Sequence, residues 1–505
     1  MRQLGFASLL LALLGAIAMA QSVEGHDAYN FGKVNVCPAG QTSPEPCSRS
    51  TRLHYNVIAT TTFGAIKVVT QGEPDLDFTM RATTCTNTLA AGSSCTVTAK
   101  FAPRAPGVRM GAVQLMDSSG NLLASTYIYG NGQGPVAAFS PSPQITLPVT
   151  GQSGFDSLAV DAAGNVYFDV DGGIAKFDPR TGVQITVVSG LSFVFGLALD
   201  GAGNLFVACG TPTCGVVEIA AGTGVQTTVG QGLSGDDGVA VDARGNLFII
   251  DNNAPDLYPR LVRISAATGR QATLLGGQDP YLGQGYPLLN LPTGVAVDGA
   301  GDVFVACFNY GPVYELTPGH VLEESGAFGN PYTLTTDAAG DLYVNDIGWY
   351  GEVAAGSGIQ TDVWYNNLSG GIAADAVGNL FLEVQNSLVE SKSSHPATLN
   401  FGKIAVGSTS APQSITIQNV GTTALNAVSP GLSVSADFVQ VPGSGTPPDC
   451  TRSFSLAPGA SCNLSIVFAP QVVGTIKGTA TFTDNALNKT PFASQSVALR
   501  GLGIQ

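Results

Sequence analysis

Five carboxylates and eight aromatic residues carry most of the chemistry that this 505-residue sequence offers. Asp169, Asp171, Asp251, Asp346 and Glu383 each follow a short apolar run, and oxygen-rich sets of this kind hold Ca²⁺ or a catalytic divalent ion. Tyr258, Tyr281, Tyr286, Tyr310, Trp349, Tyr350, Trp364 and Tyr365 form the second set, and both tryptophans of the chain are among them. Aromatic faces beside Asn and Asp suit the recognition of sugar rings or peptides. Each set has a plainer reading: an acidic chain carries solvated acids in any case, and aromatics also pack beneath insertions. Nucleophile chemistry finds no support, because the chain has no GxSxG elbow, no HExxH and no phosphate loop. His320 is the one histidine between residues 144 and 392, and TPGH (317–320) sets it in a turn away from the acids.

What positions these residues is a repeat. DAAGNVY (161–167), DGAGNLF (200–206), DARGNLF (242–248), DGAGDVF (298–304), DAAGDLY (337–343) and DAVGNLF (375–381) are versions of one turn, and their leading Asp residues are 39, 42, 56, 39 and 38 residues apart. An apolar run precedes each turn and another follows it, which is the signature of a hairpin. Asp accepts a backbone N–H two residues on, and Gly allows a positive φ. A period near forty residues with about four strands in each is a β-propeller blade. QITLPVTG (144–151) resembles the outer strand that is missing after SLVESK (387–392), so the N-terminal piece is expected to complete the last blade. Strand alternation puts the six turns on one face and the variable loops, with the acids and aromatics, on the other.

The pattern G-[VL]-A-[VL]-D-x-x-G-N-[LV]-[FY]-[VI] resembles the NHL repeat over residues 144–392. That resemblance implies a six-bladed ring with an acid after each second strand. Here only Asp251 and Asp346 keep that acid, and Cys209 and Cys307 stand in equivalent places. Six-bladed propellers of the gluconolactonase type use a divalent ion, which is the analogy behind a metal role for the acids.

A longer-range repeat brackets the ring. NFGKVNV (30–36) matches NFGKIAV (400–406), and KFAPRAPGVRMGAVQL (100–115) matches VFAPQVVGTIKGTATF (467–482). Alternating strands without a helical pattern fit immunoglobulin-like sandwiches. The motifs resemble Hydin-type (ASH) domains and the choice-of-anchor D modules of bacterial surface proteins, over 26–135 and 396–505. Modules of that kind present or connect other domains. Cys85 with Cys95 and Cys450 with Cys462 occupy matching places, Cys37 and Cys47 add a bridge to the first copy, and Cys209 with Cys214 can bridge a loop of the ring. Cys307 is left over. Disulfides are preferred to zinc, because no CxxC pair has a nearby His.

The expected architecture is all-β, a six-bladed NHL-like propeller (144–392) between two immunoglobulin-like sandwiches (26–135 and 396–505). Residues 1–20 read as a signal peptide, with an apolar segment and an Ala-Met-Ala cleavage site at 18–20. The product is then a secreted, periplasmic or cell-surface protein. A net charge of −15 argues against nucleic acid and anionic membranes as partners. The leading functional expectation is a non-enzymatic binding or adhesion scaffold for a protein, peptide or glycan, with no cofactor and no membrane insertion. The alternative is a metal-dependent hydrolase or lyase that uses these five carboxylates with a divalent cation such as calcium.

Overall fold

The computed structural model describes residues 22–151, 157–210, 215–233, 237–252, 258–276, 288–309, 311–346, 349–355, 358, 360–365 and 370–505, with backbone only for 362–365. The expected signal peptide, Cys214, Tyr281, Tyr286 and Tyr310 lie outside these residues. The described chain is all-β apart from one short 3₁₀ turn, Ala486–Asn488. Among the described residues no helix is long and apolar enough to cross a membrane.

Two sheets pack face to face in residues 23–133. One runs in the order Val23–Glu24, Arg49–Val57, Ser94–Phe101, Phe78–Thr83. The other runs Ala28–Asn35, Leu122–Gln133, Gly107–Asp117, Thr61–Thr70, Glu73–Pro74. Strict alternation makes them amphipathic: SCTVTAKF buries Cys95, Val97, Ala99 and Phe101 and turns the residues between them outward. Phe31, Phe78 and Phe101 form the aromatic centre, with centroids 4.8 to 5.7 Å apart.

The C-terminal residues repeat this plan. Phe401, Phe438 and Phe468 form the same trio. In both copies the first long strand runs parallel to the last, Ala28–Asn35 with Leu122–Gln133 and Leu399–Ala405 with Ala493–Ile504. One strand is borrowed: Ala137–Ser140, just past the first sandwich, pairs with Gln413–Asn419 and adds Phe139 to the C-terminal core.

Between the sandwiches stand six four-stranded antiparallel sheets. Their first strands touch in a closed cycle: Leu158–Val160, Val194–Leu199, Val239–Val241, Pro292–Val297, Pro331–Thr336, Ile372–Ala374 and back to Leu158–Val160. This is the β-propeller, and the sheets are numbered here as blades one to six in that order. Second strands such as Leu205–Cys209 and Val303–Cys307 are buried at every position, because neighbouring blades cover both faces. Blade six takes its outer strand from the other end of the chain, where Gln144–Thr146 pairs with Ser387–Ser391.

Candidate functional site

The repeated turns are built alike. In blade one, Asp161 Oδ1 accepts the amides of Ala163 (2.9 Å) and Asn165 (3.0 Å), while Oδ2 accepts Asn165 Nδ2 at 2.7 Å. The same Asn-to-Asp bond closes the turns of blades two, three and six, at 2.9, 2.7 and 2.8 Å. Blades four and five have Asp302 and Asp341 where the others have Asn. These carboxylates saturate their own backbone, so the turn Asp residues act as structural caps.

Register shows a second repeat that sequence reasoning missed. Opposite the aromatic residue of each second strand, the third strand carries one charge. The pairs are Lys176 with Tyr167, Glu218 with Phe206, Arg263 with Phe248, Glu315 with Phe304, Glu352 with Tyr343 and Glu390 with Phe381. A charge in the middle or near the end of each third strand was the signal that could have revealed it. Together with the turns, these charges form the chemistry of the turn face.

Both sandwiches dock on that face. From the N-terminal one, Glu73 meets Lys176 at 2.6 Å, and Lys176 also lies 3.2 Å from Asp161. Tyr127 donates to Asp200 Oδ2 at 2.8 Å, and Arg244 Nε donates to the Tyr129 hydroxyl at 3.1 Å. Burial first, and Asp200 second, push the Tyr127 phenol far above its usual range. Close approach needs small residues here: a Cβ at Gly107 would stand 2.7 Å from the Ala338 Cβ, and one at Gly203 2.5 Å from the Gly72 Cα. The C-terminal sandwich seats Val420 against Gly378 and reaches blade five through Gln418, which donates to Asp341 Oδ2 at 3.0 Å and to Glu352 Oε1. Burial lifts the Asp341 carboxyl to about 6 and, helped by the Asp341 charge, lifts Glu352 to about 7.

Between the N-terminal sandwich and the turn face is a cavity of about 890 Å³. Its walls include Arg104, Arg109 and Tyr129 from the sandwich and Arg244, Arg263 and His320 from blades three and four.

The opposite face holds the expected acids. Asp169 is buried and Asp171 is exposed. Asp251 is fully buried, with its Oδ2 held by Arg260 through Nε at 2.8 Å and Nη2 at 2.7 Å. Asp346 is turned to backbone, accepting the amides of Gly329 (2.8 Å) and Asn330. Glu383 is buried against Gly370, where any Cβ would collide with its carboxylate. Among the described residues no group of three or more His, Cys, Asp or Glu side chains is placed to hold a metal ion. Asp251 Oδ2 serves a guanidinium and the Asp346 carboxylate serves a pair of amides.

The aromatic set divides. Tyr350 is only 1% exposed, packs with Tyr343, Ile372, Leu380 and Leu382, and donates to the Glu383 carbonyl at 2.8 Å. It is therefore a core residue and not a ligand contact, which corrects the sequence expectation. Adjacent residues of a strand point to opposite faces, so Trp349 and Tyr350 could not both face outward. Trp349 is half-buried and stacks on Phe328, with centroids 5.8 Å apart. Trp364 and Tyr365 end the strand Gln360–Tyr365, paired with Tyr350 and Trp349, but their side chains lie outside the description. Tyr258 is half-buried.

Three disulfides join Cys37 to Cys47, Cys85 to Cys95 and Cys450 to Cys462. Cys209 is disulfide-bonded too, and Cys307 is free and buried. Burial raises the Cys307 thiol to about 12, which leaves it inert.

Residues 386–491 match the model of the ASH family (abnormal spindle-like microcephaly-associated, ASPM-SPD-2-Hydin). No curated protein sequence matches the chain. Similar solved structures include a gluconolactonase of Xanthomonas campestris, 13% identical over 51% of this chain and 93% of that one, with a TM-score of 0.41. A calcium-binding regucalcin of Agrobacterium tumefaciens is 13% identical over 50% and 94%, with a TM-score of 0.40. Virginiamycin B lyase of Staphylococcus aureus is 11% identical over 68% and 98%, with a TM-score of 0.36.

Proposed function

We propose that the chain is an exported, non-enzymatic binding or adhesion scaffold. Two immunoglobulin-like sandwiches grip a propeller by its turn face, and the opposite, loop-bearing face meets a protein, peptide or glycan. The supporting observation is the grip itself: Lys176, Asp200, Arg244, Ala338 and Glu352, from four blades, all touch a sandwich. The loops of the other face are thereby left to a partner, and rigid presentation of loops is what such a scaffold supplies. The three disulfides fit an oxidising compartment.

The test is a screen of the full chain on glycan and peptide arrays, followed by Trp349→Phe on the hits. Phe keeps a ring on Phe328 but removes the indole N–H and part of its area. Capture is expected to fall several-fold with little change in melting. Hits that survive Trp349→Phe and are lost on altering the turn face would refute the assignment of faces.

A divalent-cation-dependent hydrolase or lyase is the second reading. What favours it is the recurrence of a buried carboxylate at the end of four second strands, Asp169, Asp251, Asp346 and Glu383. Asp251 and Asp346 would have to give up the guanidinium and the amides they now hold before they could hold a cation.

A further inference from the structure

The charge on the third strand has a visible partner in blade one and none in blade three. Lys176 is held by Glu73 of the sandwich at 2.6 Å and by Asp161 at 3.2 Å. Arg263 occupies the same register position, yet no carboxylate forms an ion pair with it among the described residues, and its Nε is buried without a hydrogen-bond partner. A buried guanidinium donor left unmatched is costly, and folded proteins almost always supply an acceptor. Above blade one the sandwich supplies Glu73. Above blade three it supplies Tyr129, whose hydroxyl goes to Arg244.

The cavity is where Arg263 finds itself, together with Arg244 and His320. Three of the acids on its walls are engaged by other donors. Asp242 spends Oδ1 on the amides of Arg244 (2.8 Å) and Asn246 (2.9 Å) and Oδ2 on Asn246 Nδ2 at 2.7 Å. Asp298 Oδ1 takes three amides, from Ala300, Gly301 and Asp302, at 2.8 to 2.9 Å. Asp77 is bound to Arg109 at 2.7 Å. Arg263 Nε thus has no acceptor while Asp242 and Asp77 are engaged elsewhere, in a chain with only 21 Lys and Arg against 36 Asp and Glu.

We propose that this cavity is a small-molecule site in which Arg263, flanked by Arg244 and His320, receives the oxyanion of a sugar-like ligand. The oxyanion does for Arg263 what Glu73 does for Lys176. A planar guanidinium accepts a carboxylate or a sulfate through two parallel N–H bonds. The space suits a ligand of this size, since small-molecule sites commonly enclose about 300–1,000 Å³. The Tyr129 hydroxyl, Asn30 and Thr317 on the walls offer neutral hydrogen bonding to a ligand's hydroxyl groups. The site lies on the gripped face and does not depend on the partner proposed for the loop face.

Isothermal titration of the full chain with glucuronate, glucose 6-sulfate and glucose tests it. At least one charged sugar should bind saturably and at least tenfold more tightly than glucose, and which one binds tells carboxylate from sulfate. Arg263→Gln should weaken the charged ligand at least tenfold and bring it level with glucose, whereas Arg263→Lys should restore part of the affinity. Arg244→Gln, at an exposed position, should weaken binding several-fold. Equal binding of all three sugars, binding of none, or charged-sugar affinity unchanged in both Gln variants would overturn the proposal.

Discussion

Replacing Asp341 by Asn should make the protein more stable at neutral and alkaline pH while leaving it little changed in acid. In three other blades the residue at this place is an Asn whose Oδ1 accepts the amide of the residue ending the third strand's turn: Asn204 from Ala221 at 2.9 Å, Asn246 from Ala266 at 3.1 Å and Asn379 from Ser394 at 3.1 Å. Asp341 Oδ1 takes the Ala355 amide at 2.7 Å in the same way, but its carboxyl also meets that of Asp337, which has lost its Asn donor. Burial raises both carboxyls, and Asp341 stands at about 6 instead of 3.8. The folded state therefore holds protons that the unfolded chain has released. Stability is full below about pH 4, the carboxyl range of an unfolded chain, and is lost as pH rises through 6 to 7, the values of Asp341 and Glu352. A shift of about two pH units corresponds to about 3 kcal/mol at pH 8. The variant loses the Gln418 bond to Oδ2, about 1 kcal/mol, so a net gain of about 2 kcal/mol remains. Both tryptophans, Trp349 and Trp364, lie in this same blade, so their fluorescence during urea unfolding follows it directly. Wild-type midpoints should fall between pH 5 and pH 8, and those of the variant should fall by a smaller amount, which Glu352 and Asp337 still contribute. Parallel pH profiles for the two proteins would refute the reasoning.

Two further outcomes bear on the architecture and on the second functional reading. Deleting residues 139–150 removes both Phe139 from the C-terminal core and the strand on Ser387–Ser391, so the soluble yield and the melting temperature should both fall as an edge strand is uncovered; an unchanged protein would show that the strand is dispensable. Under the hydrolase reading, protein purified without chelator should contain a near-stoichiometric divalent metal that disappears in the Asp251→Asn, Asp346→Asn double variant. Metal-free protein with no thermal shift in added Ca²⁺, Mg²⁺, Mn²⁺ or Zn²⁺ would remove that reading.

The parts of the fold that were legible in the sequence are those set by local chemistry. The DxxGN turns fix their hairpins through bonds of two to four residues' reach, and paired cysteines ten or twelve residues apart close within one sandwich. What was hidden depends on register and on distant surfaces. Tyr350 reads as a loop aromatic until the pairing of Asp346 with Trp349 starts its strand there and turns it inward. Gly203 reads as a turn glycine, although its lack of a side chain also admits Gly72 of the neighbouring domain. The charge at Arg263 looks like an ordinary surface residue until the six blades are superposed by register.

The strands Ala137–Ser140 and Gln144–Thr146 impose an order of events on the chain as it is made. The first sandwich finds its strand partners within its own stretch, so it can fold as soon as that stretch is free. The next ten residues cannot settle. Their partners, Gln413–Asn419 and Ser387–Ser391, lie more than 200 residues downstream. Contacts of such sequence separation form late, and until then two exposed strands must stay unpaired without finding the wrong edge. The ring and the second sandwich are thus joint products of the last part of the chain. A truncation there would disable regions synthesised long before it.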